Sequence, residues 1–306
     1  MIRLVALLIV GSALCGIARA ERFESTQWAM GTSLRVITMA EIDRSVVDDA
    51  VSEVHALESL LSTWRDDTPL SRFNREPAGP TEVDAALFDY LLRATRDHER
   101  TRGAFDPSVG TLRVDPEAPL GMDRLGFDDG RVIRPHASFT VDSGGDGKGL
   151  AVDALVDALV ASGAESFLVD FGGSSWAARG EREPGQEWQV GLMHFDRIIG
   201  SLALRDRAAS ISSTLQVGTD ARGLVVKRNH LIDPRTREAV TAERTVAVLA
   251  STAVEAEVVS TALAVDGLEA ARAWLGNFEG VEILVVEDGH VIESGPSFTP
   301  RTPAGE

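Results

Sequence analysis

Apolar residues recur every three to four positions over 43–61, where Val46, Val47, Val51, Val54, Leu57 and Leu61 form one stripe, and this spacing predicts an amphipathic helix. A second helix is predicted to run to about Arg102, rich in Leu87, Leu91 and Leu92 and capped by Thr81 or Asp84. Leu150, Val152, Leu155, Val156, Leu159 and Val160 place a third over 149–161, and the patterns at 254–265 and 268–275 read as two more. Between them lie short apolar or alternating runs that read as strands. The first is within 23–38, with Leu34, Val36 and Thr38 on one side, and 132–141 suggests a strand pair turning near Pro135. Further runs are 167–171, ending in Gly172-Gly173, then 188–193, 202–204, 211–213, 225–232 and 245–249. The runs 281–286 and 290–292 flank Glu287-Asp288-Gly289 as a hairpin. The stretch 107–119 reads as loop and 297–306 as a frayed tail. Strands clustered late with helices between them predict an α+β fold, with mixed or antiparallel sheets and packed helices in one domain over 21–296.

The first twenty residues stand apart from this pattern. Arg3, an apolar run from Leu4 to Leu14 and the small residues Ala18 and Ala20 predict a secretory signal, too short to span a bilayer. The expected location is therefore periplasmic or secreted. Cleavage after Ala20 would remove Cys15, the one cysteine, so disulfide and thiol chemistry are not expected in the mature chain. A lipid anchor on Cys15 is the rival reading, but Ser12-Ala13-Leu14 makes a poor lipobox because the large residue adjoins the cysteine. Nothing further along is apolar enough for a membrane span.

Charge narrows the function. The chain carries −17, and loss of Arg3 and Arg19 with the signal would take it to −19. General nucleic-acid binding, which needs clustered Lys and Arg, is not expected. Within this acidic chain stands Asp142-Ser-Gly-Gly-Asp-Gly-Lys-Gly-Leu-Ala-Val-Asp153, four glycines and a lysine opening the third helix. Glycines let a backbone approach a ligand closely, and a helix start favours phosphate. The stretch is neither a Walker A loop, since Gly149 follows Lys148, nor the dinucleotide fingerprint. From these residues alone, a plain strand-to-helix turn remains an equal reading.

Other segments fall into order around it: Trp28-Ala-Met-Gly-Thr32, the stretch 61–74 containing Trp64, Gly103-Ala-Phe-Asp-Pro-Ser108, Val169-Asp-Phe-Gly-Gly173, Trp188-Gln-Val-Gly191, His230-Leu-Ile-Asp-Pro-Arg-Thr236 and Ala256-Glu-Val-Val-Ser-Thr-Ala-Leu263. The series resembles the FAD:protein FMN transferase (ApbE) family over roughly residues 25–295. The resemblance implies FAD as substrate, Mg²⁺ as cofactor and a target protein whose Thr or Ser hydroxyl accepts FMN with release of AMP. Carried over by position, it implies cofactor contacts at Met30, Trp64, Ala104, Phe105, Asp106, Asp142, Lys148 and Ile232. It implies metal contacts at Gly145, Glu257 and Thr261, and His230 as the base for the incoming hydroxyl. The other histidines, including His98, match no motif and read as surface or packing residues.

This chain departs from the family pattern at several of these places. Glu257 stands where the family has a metal-binding Asp, and Ser260 where some members have a second one. Thr-Ser-Gly-Asp-Tyr becomes Ser213-Thr-Leu-Gln-Val217, so Leu215 would cost about 1–2 kcal/mol if its backbone had to be left-handed. Arg237 replaces the glycine that ends the His230 motif, and Ser174 replaces an Asn or Asp. These changes leave two alternatives beside transfer: a relative that holds FAD without transferring it, and a metal-dependent FAD pyrophosphatase.

Overall fold

The structure is a computed structural model describing residues 22–39, 43–194, 197–219 and 225–301. The expected signal and Cys15 lie outside these residues. In chain order the elements are β1 (Phe23–Ala29), β2 (Thr32–Thr38), α1 (Arg44–Leu61), α2 (Pro69–Phe73), β3 (Gly79–Glu82), α3 (Ala85–Arg100), β4 (Gly126–Asp128), β5 (Arg131–Arg134), α4 (Gly147–Ala161), β6 (Phe167–Phe171), β7 (Ser175–Arg179), β8 (Trp188–His194), β9 (Arg197–Leu204), β10 (Arg207–Ser213), β11 (Leu215–Thr219), β12 (Val225–Asn229), β13 (Arg244–Ala250), α5 (Ala253–Asp266), α6 (Leu268–Ala271), β14 (Glu282–Glu287), β15 (His290–Ser294) and β16 (Phe298–Pro300). The fold is α+β. Eight strands form one sheet in the order β1-β2-β6-β7-β10-β13-β14-β15. Every described pair in it is antiparallel.

Alternation along these strands gives the sheet two buried faces. On one, Val36, Phe167, Val169 and Phe171 meet α1 through Val47, Val51 and Val54 and α4 through Val152, Leu155 and Leu159. The same layer continues where Val246, Val248 and Val285 meet Val258, Val259 and Leu263 of α5. On the other face, Leu168, Trp176, Leu249 and Leu284 pack against Trp188, Val190 and Leu202 of the small sheet β16-β9-β8. A satellite core joins Leu70 and Phe73 of α2, Leu87 and Leu91 of α3, and Val132 of the sheet β3-β5-β4.

Several boundaries follow local chemistry. Asp43 caps α1 by accepting from the Ser45 N–H, and Asp84, rather than Thr81, caps α3 by accepting from the Leu87 N–H at 2.8 Å. Other expectations are corrected. The run 23–38 is two strands, broken by a turn at Met30 (φ 45°) and Gly31 (φ 75°). The stripe on α4 is broader than one face: Ala151, Gly147 and Gly149 are buried while Val160 is exposed, because α4 is wedged between α1 and α5. The strand pair expected over 132–141 does not form; β5 pairs with β3 and β4 instead. Pro135 has no N–H to offer a ladder, and the carbonyls of Ala137 and Phe139 are taken by the buried Arg134 guanidinium. The helix expected over 268–275 stops at Ala271, where the chain turns so that Trp274 is buried and donates to Asp266 at 2.7 Å. The tail expectation fails at Phe298–Pro300, which pairs with β9 because Phe298 is buried in the core; residues 302–306 lie outside the described ones. Among the described residues, no helix is long and apolar enough to cross a membrane.

Two buried carboxylates couple the fold to pH. Asp146, fully buried at the start of α4, accepts from Arg93 at 2.9 Å and Tyr90 at 3.4 Å, yet desolvation pushes its carboxyl up to about 6. Desolvation also pushes Asp153 up to about 6, against the Ala253 and Val254 N–H groups that it accepts from at 2.7 and 2.9 Å. Both groups bind protons more tightly folded than unfolded. The native state therefore carries more protons between about pH 4 and 6, and stability rises as pH falls through that window. Protonation of the two groups between pH 7.5 and 5.5 contributes about 1.6 kcal/mol together, so the melting temperature is expected to be about 3–6 °C higher at pH 5.5. A steady fall over that interval, followed calorimetrically, would contradict the assignment.

Candidate functional site

The glycine-rich segment lies at the centre of a cleft. A cavity of about 530 Å³ is lined by Ala104, Phe105 and Asp106 after α3, by Arg113, by Asp142, Gly144, Gly145 and Lys148, and by Ser210, Ser212 and Ser213 of β10. His230 and Ile232 close one side, Glu257 and Thr261 another. An adjoining cavity of about 560 Å³ shares Asp142, Gly144 and Lys148 and adds Trp28, Met30 and Trp64. The structure thus brings the expected residues to two joined cavities: Met30 and Trp64 line one, Asp142 and Lys148 are shared, and the other eight expected contacts line the first. Trp64 is 96% exposed, so its indole face is open to a ring ligand.

The cradle is built by close backbone approach. A Cβ at Gly145 would sit 3.1 Å from the Phe105 ring, and one at Gly149 would sit 2.5 Å from Val254 Cα and 2.7 Å from the Ala253 carbonyl oxygen. Only glycine lets α4 meet the start of α5 at Gly149. Asp153 completes this junction by capping α5, which fixes Glu257 and Thr261 one turn apart facing the cavity. Asp142 accepts from the Gly144 N–H at 2.9 Å and from Arg113 at 2.8 Å.

Lys148 is not a free cation at the helix start. Its ammonium donates to Glu257 Oε1 at 2.5 Å, Ser175 donates to the same oxygen at 3.0 Å, and the Gly149 N–H donates to Oε2 at 2.6 Å. The orphan donor of the first turn of α4 is thereby satisfied by an internal carboxylate. Carbonyl, hydroxyl and carboxylate oxygens at Gly145, Thr261 and Glu257 are the donor type that suits a hard divalent ion, and all three residues line one cavity. Both Glu257 carboxylate oxygens are taken by protein donors, so an ion there would have to displace the Lys148 ammonium. Among the described residues no group of three His, Cys, Asp or Glu side chains gathers as a metal site, so this donor set contributes one carboxylate.

His230 follows β12, its main-chain N–H donating to the Thr214 carbonyl at 3.2 Å. Partial burial pushes the imidazole below its ordinary value, against a hydrogen bond to the Thr214 main chain. It is therefore neutral at pH 7 and able to take a proton. Ile232 bridges to Ala239, closing a loop in which Arg235 clamps Asp233 at 2.9 and 3.0 Å. Arg237 holds φ 64°, so the left-handed turn expected of a glycine there persists in a residue that bears its cost. The penalty considered for Leu215 does not arise, since Leu215 opens the strand β11 and has no positive φ.

Some functional neighbours escaped the sequence reading. His98 is the packing residue that the sequence allowed, but with a place at the site: its Nδ1 lies 3.2 Å from the Phe105 carbonyl and 3.7 Å from Asp106, supporting the loop that walls the cavity. Burial raises the Asp106 carboxyl while His98 and the Ser108 hydrogen bonds oppose it. Ser210 and Ser212, two apart on β10, turn their hydroxyls toward Ser260 at 3.3 and 2.8 Å. The period-two spacing of serines in a strand was the available signal. Arg113 carried none, standing within the stretch 107–119 read as loop.

Comparison with known proteins gives the family and the fold. Residues 30–285 match the ApbE family model. An FAD:protein FMN transferase of Treponema pallidum (strain Nichols) is 27% identical over 89% of this chain and 88% of its own length. One of Klebsiella pneumoniae (strain 342) is 28% identical over 89% and 87%. The fold superimposes on the Thermotoga maritima ApbE protein with a TM-score of 0.77 at 22% identity, covering 90% of this chain and 97% of that one. The apo flavinyl transferase ApbE of Pseudomonas stutzeri gives 0.74 at 23%, covering 92% and 94%. The chain belongs to the ApbE family.

Proposed function

We propose that this chain is an FAD:protein FMN transferase acting outside the cytoplasm, with a Thr or Ser hydroxyl of a target protein as acceptor. The observation that carries the reading is a neutral imidazole, His230, lining the same cavity as the glycine-built cradle and its Lys148–Glu257 pair. FAD's diphosphate lies against the 142–148 segment, and Trp64 and Met30 offer their cavity to a ring. The acceptor oxygen attacks the FMN phosphorus, a new P–O ester forms, the P–O–P bond breaks, and AMP leaves. His230 takes the hydroxyl proton as the ester forms. Gly145, Glu257 and Thr261 would hold Mg²⁺, which when bound neutralises charge on the diphosphate.

The test is a nucleotide balance with FAD and Mg²⁺, with and without an acceptor peptide. Transfer predicts AMP equal to the esterified peptide, little free FMN when acceptor is absent, and loss of both products on chelation. Equal AMP and FMN without acceptor would establish a pyrophosphatase. Bound FAD with no product of either kind would establish a binding protein.

A further inference from the structure

We propose that Arg113 is a direct ligand of the substrate's diphosphate, a contact that supplies the cation Lys148 cannot freely give. The proposal rests on the FAD reading above. The cavity is lined by three carboxylates, Asp106, Asp142 and Glu257, so an anion entering it needs compensating positive charge. Lys148 is held by Glu257 at 2.5 Å, in a pair whose carboxylate is almost wholly buried. Arg113 stands differently. Its side chain is 76% exposed, and its one hydrogen bond to protein among the described residues runs from a single terminal nitrogen to Asp142 Oδ2 at 2.8 Å. The remaining N–H groups of the guanidinium fork are open to the cleft, and that planar fork matches two oxygens of a phosphate.

The backbone holds Arg113 in this place. It ends a 3₁₀ turn, Pro107–Arg113, whose start is capped by Asp106 accepting from the Ser108 N–H at 2.9 Å. The Asp142 N–H donates to the Pro107 carbonyl at 2.9 Å, and Thr111 and Thr140 exchange hydrogen bonds at 2.9 and 3.3 Å. The turn and the glycine-rich segment therefore move as one piece. Asp142 and Arg113 together border both the first cavity and a smaller one of about 340 Å³ that also touches Trp64, so the guanidinium borders the space between the glycine-rich segment and Trp64.

The experiment measures equilibrium binding of FAD, and of riboflavin as the phosphate-free control, with Mg²⁺ present. The proteins are the wild type, Arg113→Met, Asp142→Asn and the double variant. The expected result is at least a tenfold loss of FAD affinity in Arg113→Met with riboflavin binding unchanged within twofold. The double variant should stay at least tenfold weaker for FAD than Asp142→Asn alone. Recovery of the double variant to the level of Asp142→Asn would overturn the proposal, because Arg113 would then act only by neutralising Asp142. An equal loss for riboflavin, or no loss for FAD, would overturn it too. A wild type that does not bind FAD removes the FAD reading itself. The high exposure of Arg113 keeps the fold intact in Arg113→Met, and Asp142→Asn retains an oxygen to accept from the Gly144 N–H; circular dichroism checks all three variants.

Discussion

Replacing His230 by alanine should lower the rate of FMN transfer by about a hundredfold or more while leaving FAD affinity within a few-fold of wild type. The two readouts separate because the ring lines the cavity wall from the segment after β12, whereas the diphosphate cradle is made by the 142–148 segment and α5. His230 is exposed to solvent on its outer side, so truncation leaves no buried void and the fold is retained. The acceptor hydroxyl then has no neighbouring base, and its proton must leave to water. Because burial lowers the imidazole's proton affinity, the wild-type rate should rise with pH to a plateau at or below neutrality. The alanine variant should lose that step. Unchanged turnover in the variant, measured with saturating FAD and acceptor, would remove His230 from the chemistry.

Gly149→Ala should be the most damaging single-methyl change in the cradle. The added carbon would meet Val254 Cα at 2.5 Å and the Ala253 carbonyl oxygen at 2.7 Å, both backbone atoms that no rotamer change can move. Either α4 and α5 separate or the start of α4 shifts. The first breaks the Asp153 cap on α5, and the second pulls the Gly149 N–H from Glu257. Overpacking of this kind costs about 3 kcal/mol or more, an expected fall in melting temperature of about 6–12 °C. Transfer should fall as well, because Glu257 and Thr261 ride on α5. A variant that melts within about 2 °C of wild type would show that the helix crossing is softer than the distances imply.

How much of this was legible in the sequence depends on the range of the interaction. The α1 and α3 boundaries were, since Asp43 and Asp84 cap their own helices through neighbours two and three residues away. The hairpin at β14–β15 was as well, marked by Asp288 (φ 49°) and Gly289 (φ 79°). Motif order gathered the site residues because six of the motifs contribute cleft walls, while those at 169–173 and 188–191 pack in the sheets and line neither cavity. What stayed hidden were partners far apart in the chain. Lys148 and Glu257 are 109 residues apart, and no local pattern shows that the lysine expected to meet phosphate is tied to the residue expected to hold metal. His98 lay on an amphipathic helix whose polar residues look alike until Gly103 turns the chain back over the imidazole. The strand β16 was missed because Phe298 sits among Gly, Pro and Ser, and its burial is decided by β9 rather than by its own neighbours. The sheet β3-β5-β4 escaped for a similar reason, its strands being three or four residues long.

The Lys148–Glu257 pair also bears on the departures from the family pattern. A glutamate reaches one methylene further than an aspartate, and here that reach lets its carboxylate accept from the lysine, a serine and a main-chain N–H together. Removing the lysine would leave a buried, partly compensated carboxylate.

The most direct measurement is the intact mass of an acceptor protein after incubation with the mature chain, FAD and Mg²⁺, followed by peptide mapping. The account predicts a mass increase of one FMN phosphoester on a Thr or Ser, absent without FAD and nearly absent with the His230→Ala variant. An acceptor recovered at its original mass, from a reaction in which a known family transferase modifies it fully, would contradict the account.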